Sequence, residues 1–179
     1  FQHSIFACPG LGQLIFDLYN MPARLYESRL NGRYPRRYYR NDRSPFPIDH
    51  PLGASMLVRA DVAESTQGFD ESFHMYCEEI DWSWRVRESG WEIYAVPAAE
   101  IVHFSGESTK QIPAQSMINL WESRARLYHK HHGRLRRTLA GWLVHSRMSN
   151  RARRAQDPNM KAAYEHIAAV WAKDGSDAG

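Results

Sequence analysis

The stretch "YCEEIDWSWRVRESG" (Tyr76 to Gly90) gathers four carboxylates, two tryptophans and two arginines into fifteen residues. The chemistry it suggests starts with Glu78, Glu79 and Asp81. On an α-helix beginning at Glu78, all three acids fall in the first turn, where the positive end of the helix dipole favours negative charge. That alone accounts for one or two of them. Glu78, Asp81 and Arg85 also fall on neighbouring turns of one side, with Trp82 beside them. A carboxylate at a helix start beside a cleft can take a proton from an incoming hydroxyl. A nearby arginine can steady phosphate oxygens, which makes Asp81, Trp82 and Arg85 candidates for substrate contact.

The elements that must hold these residues are short. "ASMLV" (Ala54 to Val58) is an apolar run after Gly53 and reads as a buried strand. "RADVAESTQG" reads as a helix closed by Gly68, and Glu78 to Ser89 as a second helix closed by Gly90. "WEIYAVP" and "EIVHF" read as two strands, with Pro97 ending the first. His103 ends the last of these, where it is either an ordinary half-buried histidine or a ligand.

This ordered series resembles the C-terminal half of the catalytic domain of family 2 glycosyltransferases, and is most similar to their bacterial rhamnosyltransferase-like members. The residues that carry the resemblance are "GASMLVRADVAESTQGFDESFHMYCEEIDWSWRVRESGWEIYAVPAAEIVHFSGEST", within residues 52 to 109. It implies an α/β chain: the C-terminal half of a GT-A fold, which binds a nucleotide-diphosphate sugar with a divalent metal, followed here by a helical extension. It puts the base that deprotonates the acceptor hydroxyl on Glu79, with Glu78 beside it. It puts Gly53 at the acceptor-facing edge of the sheet and a metal-ligand role on His103. Imidazole with carboxylates and phosphate oxygens suits Mn or Mg.

The family's N-terminal βαβ half ends in Asp-x-Asp. That pattern occurs nowhere in the 179 residues, and no strand-helix-strand alternation precedes residue 50. The chain also begins Phe1-Gln2-His3 without an initiating Met, as a fragment or processed product would. The expectation is an acceptor half without a donor half, inactive by itself.

Three regions follow. Residues 1–50 read as an irregular basic arm, because "SPFPIDHP" carries three prolines. Residues 51–115 form the acceptor-side half. Residues 116–179 form a basic amphipathic extension, with apolar spacing at Met117, Leu120, Trp121, Leu127 and Tyr128, again at Leu135, Leu139, Trp142 and Leu143, and at Met160, Tyr164, Ile167 and Trp171.

Formal net charge is only +3, but the acids concentrate between Asp49 and Glu107, and both flanks are arginine-rich. Such flanks are solvated helix faces, or they meet something anionic. The sharper expectation is peripheral attachment to an anionic membrane on its cytoplasmic side, with Trp142 and Leu143 dipping in. No nucleic-acid-binding motif is present. "HKHH" offers His129 and His132 one turn apart, without a third ligand. Cys8 and Cys77 stand far apart, outside any paired-cysteine metal motif, and fit a reduced compartment. Together these readings point to a piece of an inverting glycosyltransferase. It would move sugar from a dTDP- or UDP-linked donor to a cell-surface polysaccharide or a polyprenyl-linked glycolipid. The alternative is a non-catalytic membrane- or protein-binding module derived from one.

Overall fold

The structure is a computed structural model that describes residues 1–103 and 112–176. It is mixed α/β, mostly helical with two small sheets, and divides into two compact units.

The first unit comprises Phe1–Ser72 and Glu78–His103. The part expected to be an irregular arm contributes structure to it. Strand β1 (Ile5–Phe6) pairs antiparallel with β3 (His50–Pro51), and β2 (Phe46–Ile48) pairs antiparallel with β4 (Ile93–Ala95). The prolines do not prevent this. In a two-stranded ladder every strand is an edge, where a missing N–H leaves no inner bond unmade. Pro47 sits opposite Tyr94 with its own side chain exposed. Helix α1 (Leu11–Leu18) buries Leu14 and Leu18, four residues apart on one stripe. A short α2 (Ala23–Tyr26) and two 3-10 turns, at Arg29–Asn31 and Arg36–Tyr39, carry the basic sequence. Ile5, Tyr34 and Ile48 form the core of this region, packed by Tyr38, Tyr39, Phe46, Ile93 and Ala95. The arginines serve that packing: Arg29 lies over the Tyr34 ring at 4.2 Å, Arg33 over Tyr26 at 4.1 Å and Arg43 over Tyr38 at 4.7 Å.

Helix α3 (Ala60–Ser65) and helix α4 (Glu78–Glu88) stand as expected. After α4 the amide of Gly90 bonds the Arg87 carbonyl and that of Trp91 the Val86 carbonyl, with Gly90 at φ +87°, a Schellman closure. After α3 the same pattern appears one residue earlier than expected, since Gln67 takes the left-handed position at φ 61° and Gly68 follows it.

Two expected strands are not formed. Residues 54–58 form no strand: Ala54 lies in a turn and Ser55 in a bend, Met56 and Val58 pack on the Val62, Trp82 and Val86 cluster, and Leu57 is fully exposed. Residues 101–103 are likewise outside any strand, with Ile101 and Val102 exposed, and the rest of "EIVHF" lies outside the described residues. Their apolar runs fit these segments for a sheet, but no described strand lies alongside to complete one.

The second unit comprises Phe73–Cys77 with the C-terminal segment. Helices α5 (Pro113–His131), α6 (Arg134–Arg154) and α7 (Pro158–Ser176) each run longer than their apolar spacing indicated. Pro113 and Pro158 start two of them, where a missing N–H is harmless. Trp171 is buried at the centre: its Nε1 donates to the Trp121 carbonyl at 3.0 Å, and its ring meets Trp121 and Tyr128 edge-on. The inward face of α6 differs from the one expected. Ala140, Gly141, Val144, Met148 and Ala152 are buried, whereas Leu135 and Trp142 are 75% and 66% exposed and Leu143 is half-buried. Small residues win the inner face because they let α6 approach α7, whose Ala163 and Ala168 are also buried. Phe73 is buried in this unit, with Arg126 and Lys130 over its ring, and Ser123 donates to the Met75 carbonyl at 2.7 Å. No helix among the described residues is long and apolar enough to cross a membrane.

A candidate active site at the start of the acidic helix

The chain enters α4 through two consecutive non-glycine residues in the left-handed region, Tyr76 (φ 68°) and Cys77 (φ 67°). Such residues cost about 1–3 kcal/mol each unless their surroundings impose them. Cys77 is buried, which helps hold the turn. The strained entry sets Glu78 and Glu79 at the first turn of the helix.

Glu79 is half-buried, and burial pushes its carboxyl up from the ordinary range to about 7. The neighbouring Glu78 charge pushes the same way, while the amides of Glu79, Ile80 and Gly53 pull it down by favouring the anion. Gly53 lies directly against this side chain. A methyl on Gly53 would sit 3.5 Å from Glu79 Cβ and 3.6 Å from its Cγ and Cδ. So Gly53 and Glu79, two residues expected at the site, are brought together. One Glu78 oxygen, Oε2, is buried without a hydrogen-bond partner. The pair of glutamates thus presents a carboxyl of near-neutral pKa, an unsatisfied carboxylate oxygen and a flat backbone face at Gly53.

Asp81, Trp82 and Arg85 do converge, but inward rather than at the mouth of a site. Asp81 is completely buried and accepts from Arg85 Nε at 2.8 Å. The same guanidinium donates through Nη1 to the Thr66 carbonyl and through Nη2 to the Gly68 carbonyl at 2.6 Å. Trp82 Nε1 donates to Thr66 Oγ1 at 2.7 Å, and that hydroxyl donates to the Val62 carbonyl at 2.6 Å. Phe69 packs edge-on against the Trp82 ring. These bonds occupy carbonyls of the turn that follows α3 and lock that turn to α4. Their part in the site is to fix the helix that carries Glu79. Thr66 carries no sequence signal for this role, since a threonine after a helix is unremarkable.

A second anchor ties α4 to the start of the chain. Arg87 pairs with Asp49 at 3.2 Å and donates to the Cys8 sulfur at 3.2 Å, while Asp49 accepts the Cys8 amide at 2.8 Å. Burial, with the Asp49 charge beside it, pushes the Cys8 thiol up to about 11.

His103 is exposed, with Nδ1 3.0 Å from the Gln2 side-chain oxygen. Among the described residues no group of three His, Cys, Asp or Glu comes together as metal ligands. His132 is buried with its ring 4.5 Å from that of Tyr128, while His129 is exposed, so the "HKHH" pair is not a chelate. The described residues therefore do not by themselves fit the Mg or Mn that the resemblance implies.

Comparison with known proteins finds similarity over part of the chain. Over 82 residues the chain is 35% identical to the N-acetylglucosaminyl-diphospho-decaprenol L-rhamnosyltransferase of Mycobacterium tuberculosis, a match covering 44% of this chain and 27% of that protein. Over 58 residues it is 36% identical to rhamnosyltransferase WbbL of Escherichia coli K12, covering 32% of this chain and 22% of that protein. The chain thus spans about a quarter of the length of the curated relatives it matches. No protein-family model matches it, and no solved structure does. Over part of its length, the chain is similar to rhamnosyltransferases.

Proposed function

We propose that this chain supplies the acceptor side of an inverting sugar-transfer site, with Glu79 as the base. The observation that carries the reading is a carboxyl of pKa about 7 at a helix start, packed against the bare backbone of Gly53. A base with a pKa near the working pH combines enough of the ionised form with useful proton affinity. Glu79 takes the proton of an acceptor hydroxyl. The oxygen bonds the anomeric carbon from one face while the bond to the nucleotide diphosphate breaks on the other, and the diphosphate leaves with the electron pair.

The donor in this reading is a dTDP- or UDP-linked sugar, bound by a GT-A donor half not contained in these residues. Fully exposed Leu57, together with exposed Ile101 and Val102, supports the idea that these segments of the unit belong to a larger sheet. The relatives' names support a lipid-linked acceptor, since one is a transferase to a diphospho-decaprenol glycan. A cell-surface polysaccharide precursor on a polyprenyl carrier would place the work at the cytoplasmic face of a membrane. Exposed Leu135, Leu139 and Trp142 on α6, which carries no acidic residue, support peripheral contact with an anionic surface there. The test of the reading is sugar transfer by a longer protein containing this chain, with Glu79→Gln against wild type.

A further inference from the structure

Glu79, Ser83 and Arg87 follow one another at intervals of four residues, so they share one face of α4. Both ends of that face meet the segment from Asp49 to Gly53, and β3 within the segment packs on α4. At one end Gly53 lies against the Glu79 side chain. At the other, three contacts close a ring among Asp49, Arg87 and Cys8. Arg87 Nη2 lies 3.2 Å from Asp49 Oδ1, Arg87 Nη1 donates to Cys8 Sγ at 3.2 Å, and the Cys8 amide donates to Asp49 Oδ2 at 2.8 Å. Between the two ends Ser83 is buried.

The lengths of the two stretches match. Eight residues of helix rise about 12 Å. Four residues of extended chain reach at most about 14 Å. The segment therefore has little slack between its two holds, and a movement at Asp49 is passed on to Gly53. Its backbone is also held from the other direction: Ile5 and Phe6 pair with Pro51 and His50, and the Leu52 amide donates to the Ser4 carbonyl at 2.7 Å. An exposed ion pair alone adds little to stability. Asp49 and Arg87 differ from such a pair because each makes a second bond to Cys8, and because they join the segment and the helix that enclose Glu79.

We propose that Asp49 and Arg87 are positioning residues for the Glu79 carboxyl: they hold the segment down on α4, so that Gly53 stays against Glu79 and water stays out. Its consequence for sugar transfer rests on the reading of Glu79 as the base; the geometry does not. Releasing the hold admits water to the carboxyl. Burial is the largest cause of the raised Glu79 pKa, so hydration lowers it, and loss of the Gly53 amide acts the other way as a smaller effect. Glu78, the charged neighbour on α4, is the same in every variant below. The sign separates positioning from simple charge. Through space, removing the Arg87 cation would raise a carboxyl's pKa and removing the Asp49 anion would lower it. Loosening lowers it in both cases.

The test is a carbon NMR titration of the 179-residue chain labelled in its glutamate carboxyls, with Glu79 assigned by its absence in Glu79→Gln. Wild type should titrate at about 7. Arg87→Gln and Asp49→Asn should each titrate lower by about half a pH unit or more. The double variant should fall no further than the larger single one, because both changes open one ring. Arg87→Lys keeps the charge and loses the fork, and its midpoint should fall too. Arg59→Gln breaks the exposed Arg59–Asp61 pair of the same unit, 2.7 Å apart, and should leave the midpoint where it is. A midpoint in Arg87→Gln that rises or stays at the wild-type value overturns the proposal, as does an equal fall in Arg59→Gln. Should Arg87→Gln not fold, Arg87→Lys decides by the same sign. The readout is the carboxyl itself, so these outcomes stand apart from the loss or survival of transfer in Glu79→Gln, which tests the base.

Discussion

The Cα of Gly53 faces the Glu79 side chain so closely that any larger residue there would touch it, with an added methyl 3.5 Å from Glu79 Cβ. That distance is ordinary van der Waals contact, and Gly53 does not occupy the left-handed region. Gly53→Ala is therefore expected to fold, and even to gain up to about 1 kcal/mol through reduced freedom of the unfolded chain. Transfer should move the other way, because the methyl crowds the carboxyl and the acceptor approach. Denaturant unfolding and an acceptor KM measured on the same variant give the two readouts. Lower stability with unchanged KM would contradict the relationship.

Burial of Glu79 sets a pH dependence of stability. Its folded pKa of about 7 exceeds the ordinary 4.5, so the folded chain holds the extra proton between those values. The contribution is fully present below about pH 4.5 and is lost as pH rises through about 7. Glu79→Gln, which is never charged, should be more stable than wild type at pH 8 by roughly 1–3 kcal/mol, and the difference should shrink towards pH 4. Urea titrations at the two pH values check the sign.

The Asp81–Arg85 pair is expected to govern stability rather than substrate affinity. Asp81→Asn leaves a guanidinium partly buried without its countercharge and should cost about 3 kcal/mol. Thr66→Val strips Trp82 Nε1 of its acceptor and should cost about 1–3 kcal/mol. Both are read by denaturant unfolding. A large change in donor affinity with unchanged stability would return Asp81 to the substrate side.

Leu135→Ser combined with Trp142→Ser removes exposed apolar surface from α6. It should weaken binding to anionic vesicles by about tenfold or more without lowering stability. Vesicle sedimentation at low and high salt checks it, since an electrostatic component must fade with salt.

The closeness of Gly53 and Glu79 and the helix that carries Glu79 were legible in the sequence as local signals. Glycine at 53, the adjacent glutamates and the glycine closing α4 are local signals; the structure sets Gly53 against Glu79, while Asp81, Trp82 and Arg85 turn inward and His103 is exposed. The helices of the second unit were readable from apolar spacing, but the inward face of α6 was not. There the small residues Ala140 and Gly141 pack inside because a neighbouring helix comes close, and a hydrophobicity pattern ranks Leu135 and Trp142 above them. Strand formation at 54–58 needed a partner the pattern cannot supply. The fate of Asp81 was also hidden, since its burial depends on carbonyls at Thr66 and Gly68 brought near by the turn after α3.

The central claim is that Glu79 is the proton acceptor in sugar transfer, and the most direct measurement compares Glu79→Gln with wild type in a longer protein containing this chain. Transfer should fall by about a hundredfold or more, the usual scale of general-base loss, while nucleotide-sugar binding stays near the wild-type value. Wild-type transfer should rise with pH through about 7, as the carboxyl ionises. Transfer at the wild-type rate by Glu79→Gln would contradict the claim and move the base to Glu78 or outside these residues.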